Sequence, residues 1–442
     1  MTPLAPVNRY VSRLLLVACV LAGVKFVVRG PMRSGSNSGD FRAVYLPSRA
    51  WSQGLDPYNY SVMVQQWREA GGLRADLPSH FTSPSIYPPT ALLLMSPFAR
   101  LPWRYAWRAW CVVNLAALAI LLICVHRLAG FAWLETPSLC LIAGTLALEP
   151  ISTAVMLGQT AVIIVAIGSL SLVAGSRGAD ASNGVSAGVI LALKPQLAAA
   201  FPAPYVLARR WRACAFTAIT IIAIAALAVW RLNGQHAWFA NYLDNLRYAF
   251  GPGGADDPGP ANPYRAGLIN LRFPLSTFVA SRTAGEIIAW AIGLALAAPA
   301  LVAMARRPTG IAFMHSFSVL ILVQTLVLFH RNYDAAVVIF PFAWALSAEV
   351  PWSHRWPVLF TVGLFFLPSG AALAAAANVH YVPQWIASST LWETIILPYQ
   401  AWALLIMAGW LSYCLVRPEN GVAAIISADR QRRPIATGGV HQ

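Results

Sequence analysis

Charge is scarce in this sequence. Of 442 residues only 16 are Asp or Glu, and charged residues make up 11% against 58% hydrophobic. That is too little charge to clothe a soluble globule of this length, and the chain belongs in a bilayer. Alternating apolar and polar runs are lacking too. The apolar windows run unbroken for ~18–22 residues, enough at about 1.5 Å per residue to cross a hydrocarbon core about 30 Å thick. Only helices and closed barrels satisfy the backbone in lipid, and the alternation a barrel needs is missing, so an all-α polytopic membrane protein is expected. The six cysteines, Cys19, Cys111, Cys124, Cys140, Cys214 and Cys414, fall inside apolar windows without a CxxC pair. This excludes a disulfide frame and a zinc site as readings. Glycine-rich nucleotide loops, a Walker lysine and a Ser/His/Asp constellation are not evident, nor is a DxD or a clustered ligand set. No cofactor is expected and no metal-ligand set is assigned, with the need for a metal left open, and the energy for any transfer must come from an activated donor.

What is present in excess is basic charge, a net +15. It forms no stripe or arm of the kind nucleic acid requires; it sits in short clusters between apolar runs, the pattern that orients membrane helices. Arg9 and Arg13 precede an apolar run at 11–28 that lacks a clear small-residue cleavage site, so it reads as an uncleaved first span. Further spans are expected at 106–125, 138–157, 159–174, 213–230, 284–304, 310–329, 334–347, 356–377 and 397–416. The stretch 184–207 is broken at Lys194-Pro195 and has Arg177 before it and Arg209, Arg210 and Arg212 after it. Both ends want the same side, which a hairpin of two short broken helices allows. The count is then about twelve, with both termini cytoplasmic. Residues 1–417 are expected to form one transmembrane domain, and 418–442 a disordered cytoplasmic tail. Two long loops, 29–105 and 231–283, fall on the extracytoplasmic side of what would be a bacterial inner membrane, and both read as ordered. Phe239, Tyr242, Leu243, Leu246 and Phe250 recur at helical spacing, as do Met63, Trp67 and Ala70 more weakly. Both sets fit amphipathic helices on the membrane surface, with an aromatic anchor as the plainer role. Residues 88–99 fit a re-entrant or interfacial helix.

Three segments could carry chemistry. Gly39-Asp40-Phe41 opens the first loop, and an acid at the mouth of the bundle could take the proton from an attacking hydroxyl. Asp40 would also make an ordinary helix N-cap, and Asp56, in Asp-Pro-Tyr, a turn residue. Tyr87-Pro88-Pro89 fixes a helix entry, and Tyr87 could line a sugar pocket. Lys194 stands in an apolar segment, where a lone lysine costs about 2.5–3.5 kcal/mol, so it faces a partner, a phosphate or the interface. Gln159 is a similar polar insert. His330-Arg331-Asn332-Tyr333-Asp334 joins two spans as either a polar turn or an anion site, and Lys194, His330 and Arg331 together could neutralise a phosphate.

In these segments the sequence resembles glycosyltransferase family 87, whose best-known members are mycobacterial polyprenol-phosphate-mannose-dependent α-1,2-mannosyltransferases of the GT-C fold. The resemblance rests on Gly39-Asp40-Phe41 with Tyr45, on Gly54 to Tyr58, on Tyr87-Pro88-Pro89 through Pro97, and on Gly158-Gln159. It continues in Lys194-Pro195 with Arg209-Arg210-Trp211-Arg212, and in His330 to Asp334. It implies a GT-C-like fold and a hexosyltransferase that moves a sugar, with mannose expected, from a polyprenyl phosphate to a glycolipid or glycan outside the membrane, with inversion. By the same resemblance Asp40 is the general base and His330 and Lys194 lie at the donor phosphate. Arg331, Tyr45, Tyr58, Tyr87, Gln159 and Asp334 complete the expected substrate site. The chain departs from the family pattern in the Gly/Pro-rich segment 251–263, which leaves the acceptor open. A transporter or flippase of lipid-linked sugars is the competing class; it calls for an inverted repeat, and none is found. A ligase using a lipid-diphosphate-linked glycan would want more arginines facing the outer leaflet than Arg42, Arg49 and Arg331.

Overall fold

The computed structural model describes residues 9–35, 38–71 and 85–417. The expected tail at 418–442 and part of the first loop lie outside the described residues. The first half of the chain forms α1 (Arg9–Arg29), α2 (Gly39–Ser52), α3 (Tyr60–Glu69), α4 (Pro89–Ala99), α5 (Trp103–Ala129), α6 (Thr136–Ala147) and α7 (Glu149–Leu157). After these come α8 (Ala161–Ser176), α9 (Asp180–Leu193), α10 (Pro195–Ala198), α11 (Ala203–Leu207), α12 (Trp211–Trp230) and α13 (Trp238–Phe250). Among the described residues the one extended pairing is an isolated bridge between Leu268 and Arg331. The fold is the all-α membrane architecture expected.

Among the described residues six helices are long and apolar enough to cross a membrane: α1, α5, α12, Arg282–Ala305, Gly310–Val327 and Tyr399–Val416. The pair α6 and α7, bent by 48°, makes a seventh; Pro150 lacks the N–H that would continue the α6 ladder, so the helix restarts. Gly310–Val327 is the central helix, with 83% of its apolar window buried, whereas α1 and α12 are 11% and 17% buried and turn their apolar faces outward, to lipid. Further crossings would have to come from shorter pieces: α8, the 184–207 hairpin, Asn332–Leu346 and the span expected at 356–377. The last is divided in two, Trp352–Leu364 and Gly370–Asn378. Pro368 interrupts the ladder there, and Ser369 caps the second piece by accepting from Ala372 N.

The broken hairpin forms as expected. Lys194 precedes a proline, which drives it out of the helical region to φ −154°, ψ 83° and ends α9 there. The chain returns through α10 and α11, and Arg210 closes the loop. Its Nε donates to Asp180 at 2.8 Å, and Nη1 donates to the Gly175 carbonyl at 2.7 Å. Both ends of 184–207 therefore lie together. Gly184 and Gly188, one turn apart on α9, let it press against α12. A Cβ on them would come within 2.3 Å of the Ala213 carbonyl and 2.6 Å of Thr220 Cβ.

The two long loops fold onto each other at the Lys194 end of that hairpin. Asn241 of α13 donates to Asp56 at 2.6 Å, and Asn245 donates to the carbonyls of Tyr58 and Ser85 at 3.1 and 3.2 Å. The polar face of α13 is thus a clamp on the first loop, while Phe239 and Tyr248 point outward. The second expected surface helix, α3, is corrected: Met63, Trp67 and Ala70 are all buried in protein. Trp67 packs edge-on to Trp103 at 5.1 Å and beneath the Arg42 guanidinium at 4.6 Å, because the first loop folds its apolar residues into the main hydrophobic core of the bundle. The helix expected at 88–99 is α4, wedged against α2, α9 and α12.

Candidate active site

Asp40 does not cap its helix. Ser38 holds the N-cap position of α2, and Asp40 sits in the first turn with its Oδ2 accepting from Gln159 Nε2 at 2.7 Å. Gln159 is delivered by the break between α7 and α8. That break turns on Gly158, at φ +69°, where a Cβ would lie 2.6 Å from Phe41 Cβ. Trp110 fixes the same turn by donating Nε1 to the Gly158 carbonyl at 2.7 Å, and its ring stacks on Phe41 at 5.4 Å. The residue beside Asp40 is thus pressed onto the residue beside Gln159, and only glycine permits that contact. Asp40 is set deep among protein atoms yet keeps partial exposure. Burial pushes its carboxyl above the ordinary carboxylate range, against the Gln159 hydrogen bond and the charges of Arg331 and Lys194, which pull it back.

Facing it is a second carboxylate of opposite character. Asp334, fully buried, takes Lys194 Nζ on Oδ1 at 2.6 Å and His330 Nδ1 on Oδ2 at 3.1 Å. The Arg331 amide adds a longer bond of 3.4 Å. Lys194 reaches this point because the Pro195 break ends α9 there; its ammonium also lies 5.1 Å from the Tyr333 ring centre. One of the three ammonium hydrogens is committed to Asp334. The histidine offers its Nδ1 hydrogen to the carboxylate, so its buried Nε2 is the free end of the ring, with no partner among the described residues.

Of the expected site residues, Asp40, Gln159, Tyr87, Lys194, His330, Arg331 and Asp334 converge. Burial raises the Tyr87 phenol, with Asp40, Asp334 and Asp256 adding to the effect and Gln159 opposing it through a hydrogen bond. Tyr45 and Tyr58 are not brought in. The Tyr45 hydroxyl donates to the Leu101 carbonyl at 2.6 Å inside an aromatic core with Phe41 and Trp103. Tyr58 packs on Tyr242 and donates to the Tyr87 carbonyl at 2.9 Å, supporting Tyr87 from behind. Asp56 makes the turn expected of it, accepting from Tyr58 N at 2.9 Å.

Three cations free to hold a phosphate are not what the geometry provides. Lys194 is matched by Asp334, while Arg331 donates to the Ala255 carbonyl at 2.7 Å and to Asp256 at 3.1 Å. Buried cations in a low dielectric cannot stand uncompensated, so carboxylates accompany them. Asp256 is the member that motif reading missed, and Tyr333 lay inside the His330-to-Asp334 motif without being given a role. Asp256 lies in the Gly/Pro-rich segment, where the only signal was an Asp-Asp pair among turn residues. Among the described residues no group of three or more His, Cys, Asp or Glu side chains is placed to hold a metal ion.

A family model, Glycosyltransferase family 87, matches residues 86–330, more than half of the chain. The matched region contains Tyr87, Gln159, Lys194, Asp256 and His330; Asp40 precedes it, and Arg331 and Asp334 follow its end. No curated protein and no solved structure matches the chain.

Proposed function

The chain belongs to glycosyltransferase family 87, and from that premise we propose that it transfers a hexose, with mannose expected, from a polyprenyl-phosphate donor to a glycolipid or glycan acceptor at the extracytoplasmic face of a bacterial inner membrane. Asp40 is the general base. The acceptor hydroxyl gives its proton to Asp40 as its oxygen bonds to the anomeric carbon. The carbon–oxygen bond to phosphate breaks with its electron pair going to the phosphate, and a single displacement of this kind inverts the anomeric centre. The leaving group changes from a singly charged diester to a monoester of greater negative charge. Lys194, through its two uncommitted hydrogens, and His330, through Nε2 when protonated, meet that charge where it develops. Asp334 positions both. Arg331 acts through the second loop rather than on the phosphate.

The observation that carries this reading is the contrast between a carboxylate held by one neutral amide and partly open to solvent, and a cation pair fixed beside it by a fully buried carboxylate. The first has the character of a base, the second that of a phosphate anchor. The test supplies purified protein with labelled polyprenyl-phosphate mannose, glucose and arabinofuranose and a membrane lipid extract. Transfer from the mannosyl donor to a lipid or glycan product is expected; absence of transfer from all three donors overturns the reading and favours transport.

A further inference from the structure

The Gly/Pro-rich segment 251–263 is a compact knot with a single carboxylate directed out of it. Asp257 accepts from Gly253 N and Gly259 N at 2.8 and 3.0 Å, and Asn262 donates to the Ala255 and Asp257 carbonyls at 2.9 and 2.7 Å. The Asp256 amide donates to the Ala249 carbonyl at 3.0 Å, which ties the knot to the end of α13. Gly254 allows the tight path, since a Cβ there would meet the Tyr248 and Ala249 carbonyls at 2.3 and 2.4 Å. None of these bonds uses the Asp256 side chain. That carboxylate reaches instead to Arg331, at 3.1 Å through Oδ1, and its Oδ2 is buried without a partner among the described residues.

A buried acceptor with no donor is a cost the chain carries unless a ligand relieves it. Three such atoms belong to the cluster: His330 Nε2, Gln159 Oε1 and Asp256 Oδ2. They divide by chemistry. The imidazole nitrogen can donate when protonated and suits phosphate. The carboxylate oxygen can only accept, and a sugar's hydroxyls are the donors that a lipid-phosphate substrate brings. Asp256 also sits on the donor side of the site, because Arg331, which grips it, is the chain neighbour of His330.

Resting on the transferase reading above, we propose that Asp256 is a specificity-determining residue that accepts a hydrogen bond from one hydroxyl of the transferred sugar through Oδ2. Arg331 holds Oδ1 and so aims Oδ2. The substitution Asp256→Asn then has a defined consequence. Arg331 needs an oxygen, so the amide oxygen turns towards it and the NH2 group lands where Oδ2 was, replacing an acceptor with a donor.

The experiment compares kcat/KM of wild type and Asp256→Asn on the polyprenyl-phosphate-linked preferred hexose and on its 2-, 3-, 4- and 6-deoxy forms. On the intact sugar the variant should lose about 10- to 100-fold. For one deoxy donor, already poor with wild type, it should lose nothing further, the coupling that identifies the hydroxyl. Equal loss on every donor reduces Asp256 to a support of Arg331 and overturns the proposal, as does activity within twofold of wild type on all of them. Asp256→Ser, which removes the carboxylate and keeps a small polar group, serves if the asparagine variant does not purify. Asp40→Asn run in parallel separates the two ideas. Transfer lost in Asp40→Asn but untouched in Asp256→Asn overturns this assignment alone, whereas no transfer by wild type overturns the transferase reading and this assignment with it.

Discussion

Asp40 and Asp334 lie in one polar cluster, close enough to act on each other electrostatically, yet their surroundings differ in kind. Asp334 has both oxygens occupied by a lysine, a histidine and a backbone amide, and no exposure. Among the described residues Asp40 accepts one side-chain hydrogen bond, from a neutral amide, and it keeps contact with solvent. A carboxylate whose two oxygens are both engaged by cations is a poor proton acceptor, and its removal is felt by the cations it matches. A carboxylate with little support is reactive, and its removal is felt mainly by the chemistry. Two aspartates of the same cluster are therefore assigned opposite roles, and each prediction below presses on that division.

The largest effect is expected at Asp334→Ala, which strands Lys194 inside the protein. Breaking a buried pair from one side costs about 3–5 kcal/mol, so unfolding in detergent should shift strongly and transfer should fall with it. Adding Lys194→Met should restore much of the stability and none of the activity; recovery of both would show that the pair does not serve the phosphate. Next is Gly158→Ala, which meets Phe41 and forces a left-handed φ on a residue with a Cβ, a strain of about 1–3 kcal/mol. Gln159 should be displaced from Asp40 and kcat should drop, while the Lys194–Asp334 pair keeps most of the fold intact. A normal kcat would detach Gln159 from the mechanism.

Gln159→Leu gives a smaller, pH-dependent effect. The amide favours the charged form of Asp40, and burial opposes it. Without the amide the carboxyl pKa rises further, so the acid limb of kcat/KM moves to higher pH, with activity lost as pH falls through that limb. A limb that stays in place, or moves down, contradicts the base assignment. Smallest is Tyr45→Phe. It removes a hydrogen bond to the Leu101 carbonyl, worth about 0.5–1.5 kcal/mol, and should leave KM for donor and acceptor unchanged. A raised KM would return Tyr45 to the substrate site.

Much of this was legible in the sequence because membrane helices are written as long uncharged runs and because hairpin ends are marked by arginine. The break at Lys194-Pro195 and the return at Arg210 follow from local rules, and so does the turn at Asp56. Pairing across the chain was not legible. Lys194 and Asp334 are 140 residues apart, and nothing local to either says that one neutralises the other. Tyr45 and Trp67 were misread for a related reason: an aromatic residue in a loop looks the same whether it faces lipid, sugar or the core of the bundle. Asp256 was hidden by composition, since a segment of glycine and proline fixes its path through backbone contacts that no periodicity records.

The central claim is that Asp40 moves a proton and does not hold the donor. Donor binding and sugar transfer measured on the same Asp40→Asn protein, with labelled polyprenyl-phosphate mannose, test it most directly. The account predicts donor affinity close to wild type, an unchanged unfolding temperature, and transfer reduced by about 10²–10⁴-fold. Transfer at the wild-type rate, or donor binding lost together with transfer, would contradict it.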